Sequence, residues 1–255
     1  MSKLPKENQF LDLSDYGRPF ARIIAKNLKN TSITTIQVTV GFIISGCIAI
    51  FCILHNFYIA AALFMILKSI LDAADGELAR IKETPSYVGR YFDSIADIIL
   101  NFLILLAIWH ITEDNLVYTF IAFLGIQLQG TLYNYYYVIL RNQFNGDKTS
   151  RIFEDKTPIA LPGEDQENVN ILFKIYKLLY GAFDKTIYFL DENASKGKSL
   201  PKWLMTFIST FGLGFQLLQI GVMLILNLKD FIIPYFIFSS LLIFVFISIR
   251  KIFYS

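Results

Sequence analysis

The stretch "DAADGELARIKETPSYVGRYFDSIAD", residues 72–97, sets four aspartates and two glycines at fixed steps inside a chain that is otherwise oily. The 255 residues are 55% hydrophobic and only 17% charged, with a mean hydropathy of +0.50. A soluble domain sits nearer a quarter charged, and the apolar residues here are bunched into runs near the roughly 20 that cross a bilayer. The chain therefore reads as an integral membrane protein. A carboxylate at the edge of membrane-grade sequence is costly unless it has a task. The net charge of +2 is too small to indicate a nucleic-acid partner. Cys47 and Cys52 share one apolar run and read as packing residues, not as a disulfide or metal site. Residues 1–20 hold no apolar core close behind their lysines, so no cleavable signal peptide is expected.

Working outward, hydropathy gives six membrane-spanning helices, near 36–54, 57–75, 93–112, 116–140, 203–227 and 231–249. The links "HN", "TEDN" and "NLKD" fall on one side. The other side holds residues 1–30, the 76–92 link, the 141–202 segment and the tail "RKIFYS". Lys26, Arg80, Lys82, Arg90, Arg141, Lys202, Arg250 and Lys251 all lie there, which by the positive-inside rule makes it the cytoplasm, with both termini inside. The expected fold is all-α. A six-helix membrane domain covers 31–255, an N-terminal cytoplasmic segment covers 1–30, and a cytoplasmic insert, 141–202, separates spans four and five.

Two further stretches look interfacial. Residues 16–30 set Phe20, Ile23, Ile24 and Leu28 against Arg18, Arg22, Lys26 and Lys29, a short basic amphipathic helix suited to an anionic leaflet. Residues 169–190 are apolar enough for a span, but Lys174, Lys177, Asp184 and Lys185 favour a surface helix under the bundle. The intervening 145–168 reads as a polar loop broken by Pro158, Pro162 and Gly163.

Asp72 and Asp75 sit within one helical turn, with Gly76, at the cytoplasmic end of the second span, and Asp93 and Asp97 are i, i+4 at the start of the third. The short link makes these helices antiparallel neighbours, so the two pairs converge. Converging carboxylates repel one another unless cations sit between them. Oxygen-only ligation suits a hard divalent ion, and two such ions are a standard solution for displacement at phosphorus. Gly76 and Gly89 leave room for a phosphate to approach the backbone, and Arg80 is placed to neutralise its oxygens. Ordinary helix-end charge explains one aspartate, but poorly explains four at this spacing.

The stretch resembles the signature of the CDP-alcohol phosphotransferase family, D-x2-D-G-x2-A-R-x8-G-x3-D-x3-D. It matches at Asp72, Asp75, Gly76, Ala79, Arg80, Gly89, Asp93 and Asp97, with the gap from Ile81 to Val88 intact. The likeness extends over most of residues 16–250, and the 141–202 insert falls outside it. The resemblance implies transfer of a phosphatidyl or substituted phosphoryl group from a CDP-linked donor to an alcohol, with release of CMP, in phospholipid biosynthesis. It implies that Asp72, Asp75 and Asp93 hold two divalent cations, Mg²⁺ or Mn²⁺, and that Asp97 is a further ligand or the base that takes the acceptor's proton. Asp93 and Asp97 are then the catalytic candidates, with Gly76, Ala79, Arg80 and Gly89 around the CDP moiety. A homodimer is implied as well. One departure stands out: many members open the first span with Pro-Asn, where this chain has Thr35 and Ile36.

"DSIAD" (93–97) looks like phosphatidylserine and related synthases, and "DGELAR" (75–80) like inositol-phosphate-using relatives. Both favour CDP-diacylglycerol as donor and a small polar alcohol as acceptor. The alternative is CDP-choline or CDP-ethanolamine with diacylglycerol as acceptor, whose eukaryotic enzymes usually show "DHGCD" here. An intramembrane prenyltransferase would carry its acidic motifs far apart, and a cation transporter would hold carboxylates near mid-membrane; neither pattern is present. On the fourth span Gln127, Gly130, Asn134, Tyr137 and Arg141 recur at helical steps, making Gln127, Asn134 and Arg141 the acceptor-side candidates. The same face suits helix packing equally well. Its single cation counts against a phosphorylated acceptor. Tyr133, Tyr135 and Tyr136 read as an aromatic belt at the membrane interface, and His55 and His110 fall at the far membrane face.

Overall fold

The computed structural model describes residues 4–144, 154 and 156–254, so that 145–153 and 155 of the expected polar loop lie outside the described residues. Among the described residues all regular structure is helical. Helix α1 (Arg18–Leu28) precedes four long helices, α2 (Thr35–Leu54), α3 (Tyr58–Lys82), α4 (Tyr87–Thr112) and α5 (Leu116–Gln143). The insert supplies α6 (Gln166–Leu190), and the chain closes with α7 (Lys202–Ile208), α8 (Leu213–Ile225), α9 (Ile232–Ser239) and α10 (Leu242–Phe253).

The helix ends follow from local chemistry. Thr34 and Gln37 form a reciprocal capping box at the start of α2. Ser86 Oγ accepts from Gly89 N at 2.8 Å to open α4. At the far end the short links turn on Asn56, Glu113 and Asn227, whose φ of 60°, 53° and 58° stops each helix sharply.

Four helical stretches among the described residues are long and apolar enough to cross a membrane: Thr35–Leu54, Tyr87–Thr112, Leu116–Gln143 and Lys229–Phe253. A fifth crossing results if Lys202–Phe211 and Leu213–Ile225, bent by 57°, count as one. The chain is thus an all-helical protein with four or five such segments. The remaining expected span belongs to α3, which has 25 residues but carries Lys68, Asp72 and Asp75 within its apolar part.

The fifth expected span is bent at a break, and the sixth, long enough to cross as one stretch, is interrupted at 240–241. Between α7 and α8 the chain makes a 3-10 turn, Ser209–Phe211, and extends at Gly212. The N-terminal segment crosses here: Leu13 N donates to Ser209 Oγ (2.9 Å), and a Cβ on Gly214 would stand 2.0 Å from the Ser14 carbonyl oxygen. Only glycine fits that approach. Between α9 and α10, Ser240 Oγ bonds back to the Phe236 carbonyl (2.7 Å), which competes with the helix ladder.

Helix α3 packs among α1, α2 and α8, while α4 packs among α2, α5 and α6. Helix α1 buries Ala21 and Ala25 on α3 and leaves Phe20 and Ile23 outward, as an interfacial helix does. Arg18, expected on its polar face, instead turns inward. Helix α6 packs Val169 and Phe173 against Tyr91 and exposes Ile171, Ile175, Leu178 and Phe189. The insert also clasps the start of α4, where Glu164 Oε1 accepts from Ser86 Oγ (2.7 Å) and Val88 N (2.9 Å). The aromatic-belt reading is corrected. Tyr135 and Tyr136 are buried, and their hydroxyls bond the Asp191 carbonyl (2.9 Å) and carboxylate (2.6 Å). A helix end rich in tyrosine looks the same in sequence whether it faces lipid or interior.

Candidate active site

Because α3 and α4 run antiparallel from the 83–86 link, the ends that meet carry the aspartates. Asp72, Asp75 and Asp93 each offer a carboxylate oxygen, all within 4.8 Å of one another. Thr39 of α2, almost fully buried, donates to Asp75 Oδ2 at 2.7 Å and fixes its orientation. Asp93 Oδ1 is buried and has no hydrogen-bond partner among the described residues. A buried carboxylate oxygen left without a donor is expensive. Here it faces two further carboxylates, and such an all-oxygen set fits a hard divalent cation.

Asp97 is handled differently. One turn deeper along α4, its Oδ1 receives the ammonium of Lys68 at 2.5 Å. Lys68 lies one turn before Asp72 on α3, is fully buried, and sits 4.9 Å from the centre of the Phe42 ring. The structure therefore gathers three of the four expected ligands and pairs the fourth with a lysine.

The three carboxylates open onto a cavity of about 840 Å³. Gly76, Ala79, Arg80 and Gly89 line it, as do Asn134 and Arg141 of α5. Asp97 and Gln127 are not among its lining residues. Gln127 is buried two turns along α5 from Asn134, about 10 Å deeper at 1.5 Å per residue. That distance takes it beyond the cavity.

Two further arginines reach the same cavity. Arg18 Nη1 donates to Glu77 Oε1 at 2.9 Å and its Nε contacts Asp15, while Arg80 holds the same Glu77 oxygen at 3.1 Å. Burial works against the Arg18 charge, but Asp15 and Glu77 outweigh it and raise its pKa above the usual value. Arg90 contacts Glu154 of the insert and lies 5.0 Å over the Tyr91 ring. From the N-terminal segment, Asp12 accepts from Tyr133 OH at 2.6 Å, and both residues line the cavity.

Sequence reading missed Thr39, Lys68, Arg18, Glu77 and the Asp12–Tyr133 pair. Lys68 had a readable signal, being a lone lysine in an apolar run one helical turn from Asp72. The others depend on contacts between segments 36 or more residues apart.

Over 150 residues, 57% of this chain, the sequence is 33% identical to the bifunctional IPC transferase and DIPP synthase of Thermococcus kodakarensis. The chain spans about a third of that relative's length, 33%. The profile of the CDP-alcohol phosphatidyltransferase family matches residues 33–160, a range that holds the whole aspartate stretch. The chain belongs to the CDP-alcohol phosphatidyltransferase family and is a transferase of phosphate-containing groups.

Proposed function

We propose that the protein is a six-span membrane enzyme that moves a phosphatidyl group from CDP-diacylglycerol to a polar alcohol at the cytoplasmic face, releasing CMP. Helix α3 is the sixth crossing, its buried charges satisfied by neighbours rather than by lipid. Both termini and the insert lie on the cytoplasmic side with the site. One observation carries the reading: the signature aspartates Asp72, Asp75 and Asp93 come together at a cavity also lined by Gly76, Ala79, Arg80 and Gly89.

In this reading Asp72, Asp75 and Asp93 hold divalent cation, Mg²⁺ or Mn²⁺. When bound, that charge neutralises the donor's pyrophosphate and stabilises the departing CMP. Asp97, paired with Lys68, lies outside this set of three. Gly76 and Gly89 leave space beside the CDP moiety, and Arg80 pairs with its phosphate oxygens. The acceptor enters along Asn134 and Arg141. Its hydroxyl oxygen bonds to the lipid-bearing phosphorus as the bond from that phosphorus to CMP breaks, and its proton passes to Asp93, the catalytic candidate that lines the cavity. Arg18 and Arg90 join Arg141 on the cavity wall, which favours an acceptor that is itself phosphorylated over a neutral one.

The test is CMP release by the purified protein with Mg²⁺ or Mn²⁺. CDP-diacylglycerol is offered with serine, inositol, glycerol, inositol phosphate or glycerol phosphate, and CDP-choline or CDP-ethanolamine with diacylglycerol. Release confined to CDP-diacylglycerol with a phosphorylated alcohol is the expected result. Release only with CDP-choline or CDP-ethanolamine would reverse donor and acceptor.

A further inference from the structure

Lys68 has no place in the signature, yet it is the most completely buried charge near the site. Its side chain is 0% exposed, and it bonds Asp97 while lying within electrostatic reach of Asp72 and Asp93. A buried ammonium is retained only when it is paired and its pairing serves something. Asp97 is the one signature aspartate outside the three-carboxylate cluster and outside the cavity lining. These two facts have one geometric cause, since Asp97 and Lys68 each sit one turn below the cluster, on α4 and α3, facing one another.

Building on the metal-dependent reading above, we propose that Lys68 is a positioning residue that withholds Asp97 from the metal centre. The pair is neutral. It leaves Asp72, Asp75 and Asp93 to set the number and affinity of bound ions, and keeps one oxygen of Asp97 fixed against Lys68. With Lys68 gone, Asp97 becomes a fourth anionic ligand one turn from Asp93, so ions bind more tightly or in greater number.

The experiment counts Mn²⁺ bound by the purified, chelator-stripped protein, read from the electron paramagnetic resonance signal of free Mn²⁺. Asp72→Asn tests the underlying reading and should weaken binding by about tenfold or more. If it does not, the metal centre itself is misassigned, whatever Lys68 does. Lys68→Met should bind Mn²⁺ about tenfold more tightly or take up a further ion. The double variant Lys68→Met/Asp97→Asn removes both charges together, so no unpaired charge stays buried if Lys68→Met alone fails to fold. Its affinity should stay within about threefold of the wild type, well short of the loss expected for removing a ligand. A double variant that loses Mn²⁺ as Asp72→Asn does would make Asp97 a ligand and overturn the proposal, as would a folded Lys68→Met with no gain.

Discussion

Asp191 and the Oδ1 atom of Asp93 are both buried, and among the described residues the chain gives Asp191 an ion pair with Arg250 while Asp93 Oδ1 has no hydrogen-bond partner. Asp191 Oδ2 accepts from Tyr136 OH (2.6 Å) and from Arg250 Nε (2.8 Å), and Arg250 Nη2 contacts the other oxygen. That clasp ties the end of α6 to α5 and α10. Around Asp93 the nearest acidic partners are Asp72 and Asp75, and the one donor that reaches the trio from α2 is the neutral Thr39. A buried carboxylate that holds a fold together is matched by a cation from the same chain. One that is matched only by other carboxylates is arranged for charge that arrives from outside. Lys68 with Asp97 falls between the two cases, a matched pair placed directly beneath the three-carboxylate cluster.

The comparison breaks most visibly through chemistry. Asp93→Asn should lower CMP-forming transfer about a thousandfold, the several kcal/mol that a metal centre supplies to such a transition state. Chelation of divalent cations should do the same to the wild type, while neither change unfolds the protein. Near-wild-type transfer by Asp93→Asn would mean the open cluster is not the reacting centre. On the structural side, Arg250→Met should cost about 3 kcal/mol of stability, the low end for breaking a buried pair, because Tyr136 still donates to Asp191. The readout is the thermal unfolding midpoint in detergent, with Mn²⁺ affinity at the aspartates unchanged. Lost Mn²⁺ affinity at an unchanged midpoint would merge the two clusters into one.

The open cluster was legible in the sequence and the matched one was not, for a physical reason. Asp72, Asp75, Asp93 and Asp97 lie within 26 residues, where helical period and a short link fix which faces meet. Asp191, Tyr136 and Arg250 are separated by 55 and 59 residues, and their meeting depends on how the insert returns to the bundle. The same limit hid Ser14 against Gly214, a contact that local pattern does not encode. Hydropathy gave the far-end turns and the extent of α2 and α5, because apolar runs and left-handed stops are local. It ran straight through the breaks at Gly212 and Ser240, where side-chain and tertiary hydrogen bonds decide the path. Of the acceptor-face candidates Asn134 and Arg141 line the cavity and Gln127 does not, since periodicity fixes a face and says nothing of where a cavity ends.

Asp184 of α6 sharpens the contrast with the smallest effect. Among the described residues no cation pairs with it, and it adjoins no acidic trio. Burial, and then the charge of Glu154, push its pKa up to about 6 from an ordinary 3.8. The unfolded chain thus releases this proton near pH 4 while the folded protein holds it to about pH 6. The folded state binds more protons across that window, so stability falls as pH rises through it and is level above it. A full shift of this size corresponds to about 3 kcal/mol; partial exposure at the surface of an interfacial helix reduces this to roughly 1 kcal/mol. Asp184→Asn should therefore raise the unfolding midpoint at pH 7.5 and leave it unchanged below pH 4. A variant less stable at pH 7.5 would show that Asp184 has a cationic partner in the folded protein, which would place it with Asp191 rather than apart from both clusters.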